Sequence, residues 1–168
     1  MMEDILYHGS DNKNLFIIKP HNLSVRNSDE GSVIFATPNQ AYAYAFSIRP
    51  RGRYRQDISR WTINGVKTPW HITIDDETAF RNTDMGGAVY SVTTEQFILD
   101  ETFNHGTPEW TTRTAVVPLN KVIFDSSLAA MIEQGLQVHF VTADVFDRIK
   151  KAEDHGWIIV KELPTVSE

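Results

Sequence analysis

The feature that most restricts the fold of this chain is the shortness of its apolar runs, each closed within a few residues by turn-forming side chains. Residues 4–8, 32–36 ("SVIFA"), 70–75 ("WHITID"), 86–94 ("GGAVYSVTT") and 136–142 ("LQVHFVT") read as short strands. "PEWTTRTAVVP" (108–118) and "KVIFDS" (121–126) read as two more, broken by Pro118. "WTINGVKT" centres on Asn64-Gly65, a favoured two-residue hairpin turn. "SSLAAMIEQG" (126–135) is expected to be a short helix stopped by glycine. "ADVFDRIKKAEDHG" (143–156) is an amphipathic helix, and "WIIVKEL" (157–163) a final strand. Many short strands with few helices, mostly without strand–helix–strand alternation, predict an α+β fold rather than a doubly wound sheet.

The sharpest local signal is "TPNQAYAYAFS". Thr37 can cap a helix, Pro38 suits its first position and Gln40 can complete a capping box, so a helix is expected over 38–47. A strand through Phe35 therefore runs into a turn and a short helix.

At 168 residues the chain fits a single domain, 1–168, with a sizeable core. No apolar stretch approaches the roughly 18 residues of a membrane span, and "MMEDILYHG" carries acids where a signal peptide needs basic residues. Cysteine is absent, which excludes disulfides, thiol catalysis and thiolate zinc sites. A cytoplasmic location is the expectation. The net charge of −6 argues against bulk nucleic-acid binding, but it is unevenly spread. "RPRGRYRQDISR" (49–60) holds five arginines against one acid, a local +4, so the remainder carries −10. Such a cluster suggests a specific phosphate site, with Arg49, Arg51, Arg53 and Arg55 as its candidates; it also fits a solvated basic loop.

The chain has no phosphate-binding loop, no dinucleotide glycine fingerprint and no nucleophile elbow. The histidines at 8, 21, 71, 105, 139 and 155 show no metal-ligand spacing. His71 ahead of Asp75, Asp76 and Glu77 fits a solvated acidic turn, and no metal is expected. Three pieces remain: Tyr7-His8-Gly9-Ser10, "VIFATPNQAYAYAF" and "PEWTTRTAVVPLNKVI". In order and spacing they resemble the ADP-ribosyltransferase-like superfamily over about residues 5–125. Its members place a histidine on one strand, an aromatic residue on a second and a glutamate on a third. The resemblance implies short, mostly antiparallel strands in two packed sheets, with NAD as co-substrate and no metal. It also implies a nucleotide substrate, a DNA or protein acceptor and no membrane partner. Small enzymes of this kind commonly serve as toxins, phage-related effectors or defence proteins.

By position, the resemblance makes His8 the residue that holds ribose hydroxyls and Glu109 the catalytic carboxylate, with Glu95 as a rival. Tyr7, Gly9, Ser10 and Thr37 would border the substrate. Phe35 would take the stacking position usually held by tyrosine, although a one-residue shift puts Ile34 there. Tyr42 or Tyr44 would supply the second stacking face. Each residue also has a structural reading: His8 bonded to a backbone carbonyl, Phe35, Tyr42, Tyr44 and Phe46 as core, Glu109 as an edge-strand charge.

The residue types suit breakage of a nucleobase–ribosyl bond. That reaction passes through an oxocarbenium-like state, which a carboxylate stabilises while accepting a proton from the incoming nucleophile. Aromatic faces orient the departing base, and a neutral histidine fixes a sugar hydroxyl without adding positive charge. Three functions are compatible with the set. The first is NAD-dependent ADP-ribosyl transfer. The second is a DNA glycosylase excising a base without NAD, favoured by Phe35 in place of tyrosine and by the arginine segment. The third is a non-catalytic nucleotide- or partner-binding module.

Overall fold

The computed structural model describes residues 4–20, 32–104 and 108–167, so His21 and His105 lie outside the described residues. The first half of the chain forms β1 (Ile5–Ser10), β2 (Ile34–Ala36), α1 (Gln40–Tyr44), β3 (Gln56–Ser59), β4 (Thr62–Ile63), β5 (Val66–Lys67), β6 (His71–Ile74) and α2 (Glu77–Thr83). The second half forms β7 (Gly87–Thr93), β8 (Ile98–Asn104), β9 (Pro108–Thr112), β10 (Asn120–Phe124), α3 (Ser127–Glu133), β11 (Gln137–Phe140), α4 (Ala143–Lys151) and α5 (Trp157–Val160). No described helix is long and apolar enough to cross a membrane.

The fold is α+β with small sheets, as expected, but among the described residues the strands form three three-stranded sheets and a hairpin rather than two sheets. Two sheets, β1-β7-β10 and β2-β9-β8, are antiparallel throughout, whereas β11-β6-β3 pairs β11 parallel to β6. A backbone bridge between Tyr7 and Thr37 ties the first sheet to β2. With only three residues in β2 there is no room for a longer ladder.

Strand alternation makes the β1-β7-β10 sheet a partition between two apolar clusters. Leu6, Ala88, Tyr90 and Val92 enter one cluster with Ile34 and Val116. Val89 and the half-buried Tyr7 enter the other, built on Ile72, Ile74, Leu128, Met131 and Val138. Leu6, Ile72, Ile74, Leu128, Met131 and Val138 are at most 2% exposed. Each such side chain contributes about 1.5–3 kcal/mol of transfer free energy.

Local signals place several elements. At the β4–β5 turn Asn64 and Gly65 take φ of 52° and 79°, as the expected hairpin requires. The Ser126 hydroxyl caps α3 by accepting from Ala129 N (3.0 Å), and Gly135 stops that helix at φ 91°. Thr142 caps α4, which ends at Lys151, short of the expected 156.

Four expectations need correction. The segment 157–163 is not a strand: Gly156 turns left-handed at φ 90°, and the Asp154 carboxylate accepts from Gly156 N and Ile158 N, both at 2.9 Å, so helix α5 starts instead. The acids after β6 are not simply solvated. Asp76 caps α2 through Ala79 N (2.9 Å), while Asp75 accepts from both Arg55 N and Arg55 Nε (2.6 Å each). The arginine segment is partly a strand, β3, paired to β6 from Gln56 to Ser59. Finally, α1 is capped by Asn39, whose side chain accepts from Tyr42 N (3.0 Å), and not by Thr37. Both backbone polar groups of Thr37 are committed to Tyr7, at 2.8 and 3.0 Å. Thr37 is thereby strand-like, and the helix begins two residues later.

Candidate active site

A cavity of about 680 Å³, within the usual range for small-molecule sites, opens where β1, β2, α1 and β9 meet. Its walls include Tyr7, His8, Gly9, Phe35, Thr37, Tyr42, Arg49, Arg51 and Glu109. Nine residues singled out from the sequence thus converge on one space from three distant segments.

His8 follows Leu6 by two positions on β1, so it shares the face that Leu6 buries. Its Nδ1 lies 2.7 Å from the Phe35 carbonyl oxygen. A carbonyl only accepts, so Nδ1 carries the proton, and when the ring is neutral Nε2 is its acceptor. The structural bond proposed for His8 is therefore present, and it sets the ring's orientation at the cavity wall.

The alternation of β2 settles its register. Ile34 is 2% exposed in the core, and Phe35 faces the cavity. Glu109 alternates in the same way with Trp110, which packs against a core cluster. Because β9 is the central strand of β2-β9-β8, Glu109 is not an edge-strand charge. Its Oε1 accepts a hydrogen bond from the Tyr42 hydroxyl at 3.1 Å. Glu95 lies in an exposed turn between β7 and β8 and does not line the cavity.

The two tyrosines of α1 part company. Tyr42 lines the cavity at 6% exposure, but its ring packs against Phe46 (5.0 Å) and Trp70 (4.6 Å), which limits stacking on a ligand. Tyr44 points into the core, stacked on Phe124 at 5.3 Å, and burial first, then the Glu133 charge, raises its pKa. Phe46, expected in the core, is 41% exposed on the cavity wall. Phe46 lines the same cavity as Phe35. Helical spacing alone cannot tell Phe46 from Tyr42, because both lie on one face of α1 and of the turn that extends it.

Gly9 borders the cavity, and its lack of a side chain serves the packing of the fold. A Cβ there would collide with the Ala43 carbonyl oxygen and crowd Phe46 at 3.0 Å. Glycine at this position lets α1 lie directly on β1. Ser10 is 3% exposed, and its hydroxyl accepts from Asn12 N (3.0 Å), starting the turn that leaves the strand. It lines a second cavity of about 600 Å³, which shares His8 and Arg49 with the first.

The arginine cluster divides. Arg49 and Arg51 reach the cavity, and both approach Asp11, at 3.8 and 2.6 Å. Arg53 is exposed in a turn away from both cavities. Arg55 is engaged by Asp147 (2.7 Å) and Asp75 (2.6 Å), which raise its pKa in that order. Arg60 covers the Trp70 ring at 4.4 Å. Ile48, Pro50 and Gln56 complete the wall, and nothing in their sequence context marks them.

Among the described residues no group of three or more metal-ligating side chains lies together. His71 and His139, on the paired strands β6 and β11, hydrogen-bond at 2.8 Å, and His139 Nδ1 donates to Pro164 O at 2.9 Å. Burial, and then the neighbouring His139, lowers the His71 pKa to about 4. Burial likewise lowers that of His139. Comparison with known proteins yields no match: no family model fits the chain, and no curated protein or solved structure is significantly similar to it.

Proposed function

We propose that this chain is an ADP-ribosyltransferase-like enzyme that breaks a nucleobase–ribosyl bond, with NAD as co-substrate and a protein or nucleic acid as acceptor. One observation carries this: His8, Phe35 and Glu109 share one cavity with two arginines although they come from three separate strands. The cavity's size and its Phe35 and Phe46 rings suit a nucleobase, and Arg49 and Arg51 suit phosphate.

In this scheme the base is held between the two phenylalanines, and His8 Nε2 accepts from a ribose hydroxyl. The C1′–N bond breaks with its electron pair leaving on the base. Glu109 stabilises the positive charge on the sugar and accepts the proton of the acceptor nucleophile as the new C1′ bond forms. The Tyr42 hydroxyl orients the carboxylate, so Tyr42 is a positioning residue rather than a stacking face. A cytoplasmic site of action accords with the lack of cysteine.

Base excision from DNA without NAD is the second reaction the cavity suits, and Phe35 in place of tyrosine favours it. The division of the arginines weighs against it, because Arg55 is drawn to Asp75 and Asp147 instead of to a strand-binding surface. The test is to incubate wild type and Glu109→Gln with NAD, with DNA and with both, and to follow released nicotinamide or free base by mass spectrometry. Wild-type nicotinamide release, lost in the variant, is the expected result. Base release without NAD replaces transfer by excision. No Glu109-dependent release from either substrate leaves the binding module.

A further inference from the structure

We propose that Asp11 is a built-in anion at a phosphate subsite: its carboxylate occupies the position between Arg49 and Arg51, and a ligand phosphate binds by displacing it. The identity of the ligand as a nucleotide rests on the function proposed above; the subsite itself rests on geometry.

The wall between the two cavities is where these side chains meet. Arg49 lines both cavities, Arg51 only the larger and Asp11 only the smaller. Arg51 Nη2 contacts Asp11 Oδ2 at 2.6 Å, and Arg49 Nε lies 3.8 Å from Oδ1, so one carboxylate spans two guanidinium groups. The chain holds them there from both sides. Asp11 follows the buried Ser10, and Asn12 is fixed by its N–H to Ser10 Oγ (3.0 Å) and by its carbonyl to the Tyr90 hydroxyl (2.6 Å). On the arginine side, Arg53 N bonds Pro50 O at 2.9 Å, closing a turn whose central residues Arg51 and Gly52 take φ of 51° and 76°. A left-handed arginine is unfavourable by itself, and this one points its side chain back at Asp11.

Carboxylate and phosphate present similar paired oxygens to a guanidinium, and phosphate offers more of them and more charge. The three side chains are 26%, 54% and 27% exposed for Arg49, Arg51 and Asp11, so the pairing is partly solvated and exchangeable. A cavity on each side of the pair suits an internal phosphate, one that links two groups, in a dinucleotide diphosphate or a nucleic-acid backbone.

Calorimetric titration of wild type, Asp11→Asn, Asp11→Ser and Arg51→Ala with inorganic pyrophosphate tests this. Both Asp11 variants are expected to bind about two- to fivefold tighter than wild type, the scale of one exposed ion pair. Arg51→Ala should weaken binding about tenfold and cancel the gain when combined with Asp11→Asn. Binding that is unchanged or weaker in the Asp11 variants, or undetectable throughout, overturns the proposal; weaker binding would make Asp11 a scaffold for Arg51. Repeating the titration with ADP-ribose and with a short single-stranded oligodeoxynucleotide shows which phosphate source gains. Tighter pyrophosphate binding without any Glu109-dependent base release keeps the subsite and discards the reaction. The opposite pattern discards the subsite alone.

Discussion

The β1 end of the molecule and the β6–β11 pair each place a histidine in hydrogen-bonding contact with a main-chain carbonyl, and the two regions put that contact to different uses. His8 is bonded to Phe35 O beside an open cavity. His139 is 2% exposed, bonded to Pro164 O on one nitrogen and to His71 on the other, with Trp61 and Trp157 packed on the His71 ring at 5.4 and 6.1 Å. The residue type is the same; what closes around it differs. Where the ring keeps a side toward a cavity it can handle a ligand, and where the ring is enclosed it serves the fold.

Four measurements test this contrast, from the largest expected effect to the smallest. Glu109→Gln, at the cavity end, is expected to lower the rate of base release by on the order of 10²–10⁴-fold while the melting temperature hardly moves. A full-rate variant removes the cavity from the chemistry.

Exchanging the histidines separates the regions directly. His139→Ala should cost about 3 kcal/mol in denaturant unfolding, because it opens a hole and strips a partner from both His71 and Pro164 O. His8→Ala should leave stability nearly intact and lower kcat/KM about 10²-fold through loss of ribose positioning. If the two variants behave alike, the distinction between the regions fails.

The enclosed pair should also make stability depend on pH. His71 titrates near 4 in the folded chain against an ordinary 6.5, and the His139 pKa is lowered too. Between those values the unfolded chain binds more protons, so stability is complete above about pH 6.5 and falls as the pH drops toward 4. With His71 partly exposed, a loss of about 1–2 kcal/mol is expected after allowance for solvent screening. His71→Gln should flatten the slope of unfolding free energy between pH 7 and 5; an unchanged slope assigns the acid sensitivity to other groups.

Tyr42→Phe removes only the hydroxyl that holds Glu109 and leaves the ring between Phe46 and Trp70. Loss of one hydrogen bond of about 1 kcal/mol predicts a fivefold lower kcat with KM and melting temperature unmoved. A change in KM instead would return Tyr42 to the ligand contacts.

Residues whose effect is local were legible. Gly135 stops α3 and Asn64-Gly65 turns the hairpin, both through contacts within a few positions, whereas Thr142, read as the end of a strand, is the cap of α4. The cavity residue on β2 was legible for a related reason, since period-two alternation puts Ile34 in the core and leaves Phe35 at the cavity wall. Phe46 was not. Nor was α5, where the β-branched run "WIIV" yields to the turn set by Asp154 and Gly156.

The sequence by itself determined the α+β character, the short strands and the identity of the side chains capable of sugar, base and phosphate chemistry. Patterns with a period of two or about four residues, and caps acting over three, are properties of the chain alone. Only the tertiary structure decided which of those side chains share a space. It turned Tyr44 into the core, tied Tyr42 to Glu109 and drew Arg55 to Asp75 and Asp147. It also set Asp11 against Arg49 and Arg51. Those pairings span tens of residues and depend on how sheets and helices pack, which no local pattern encodes.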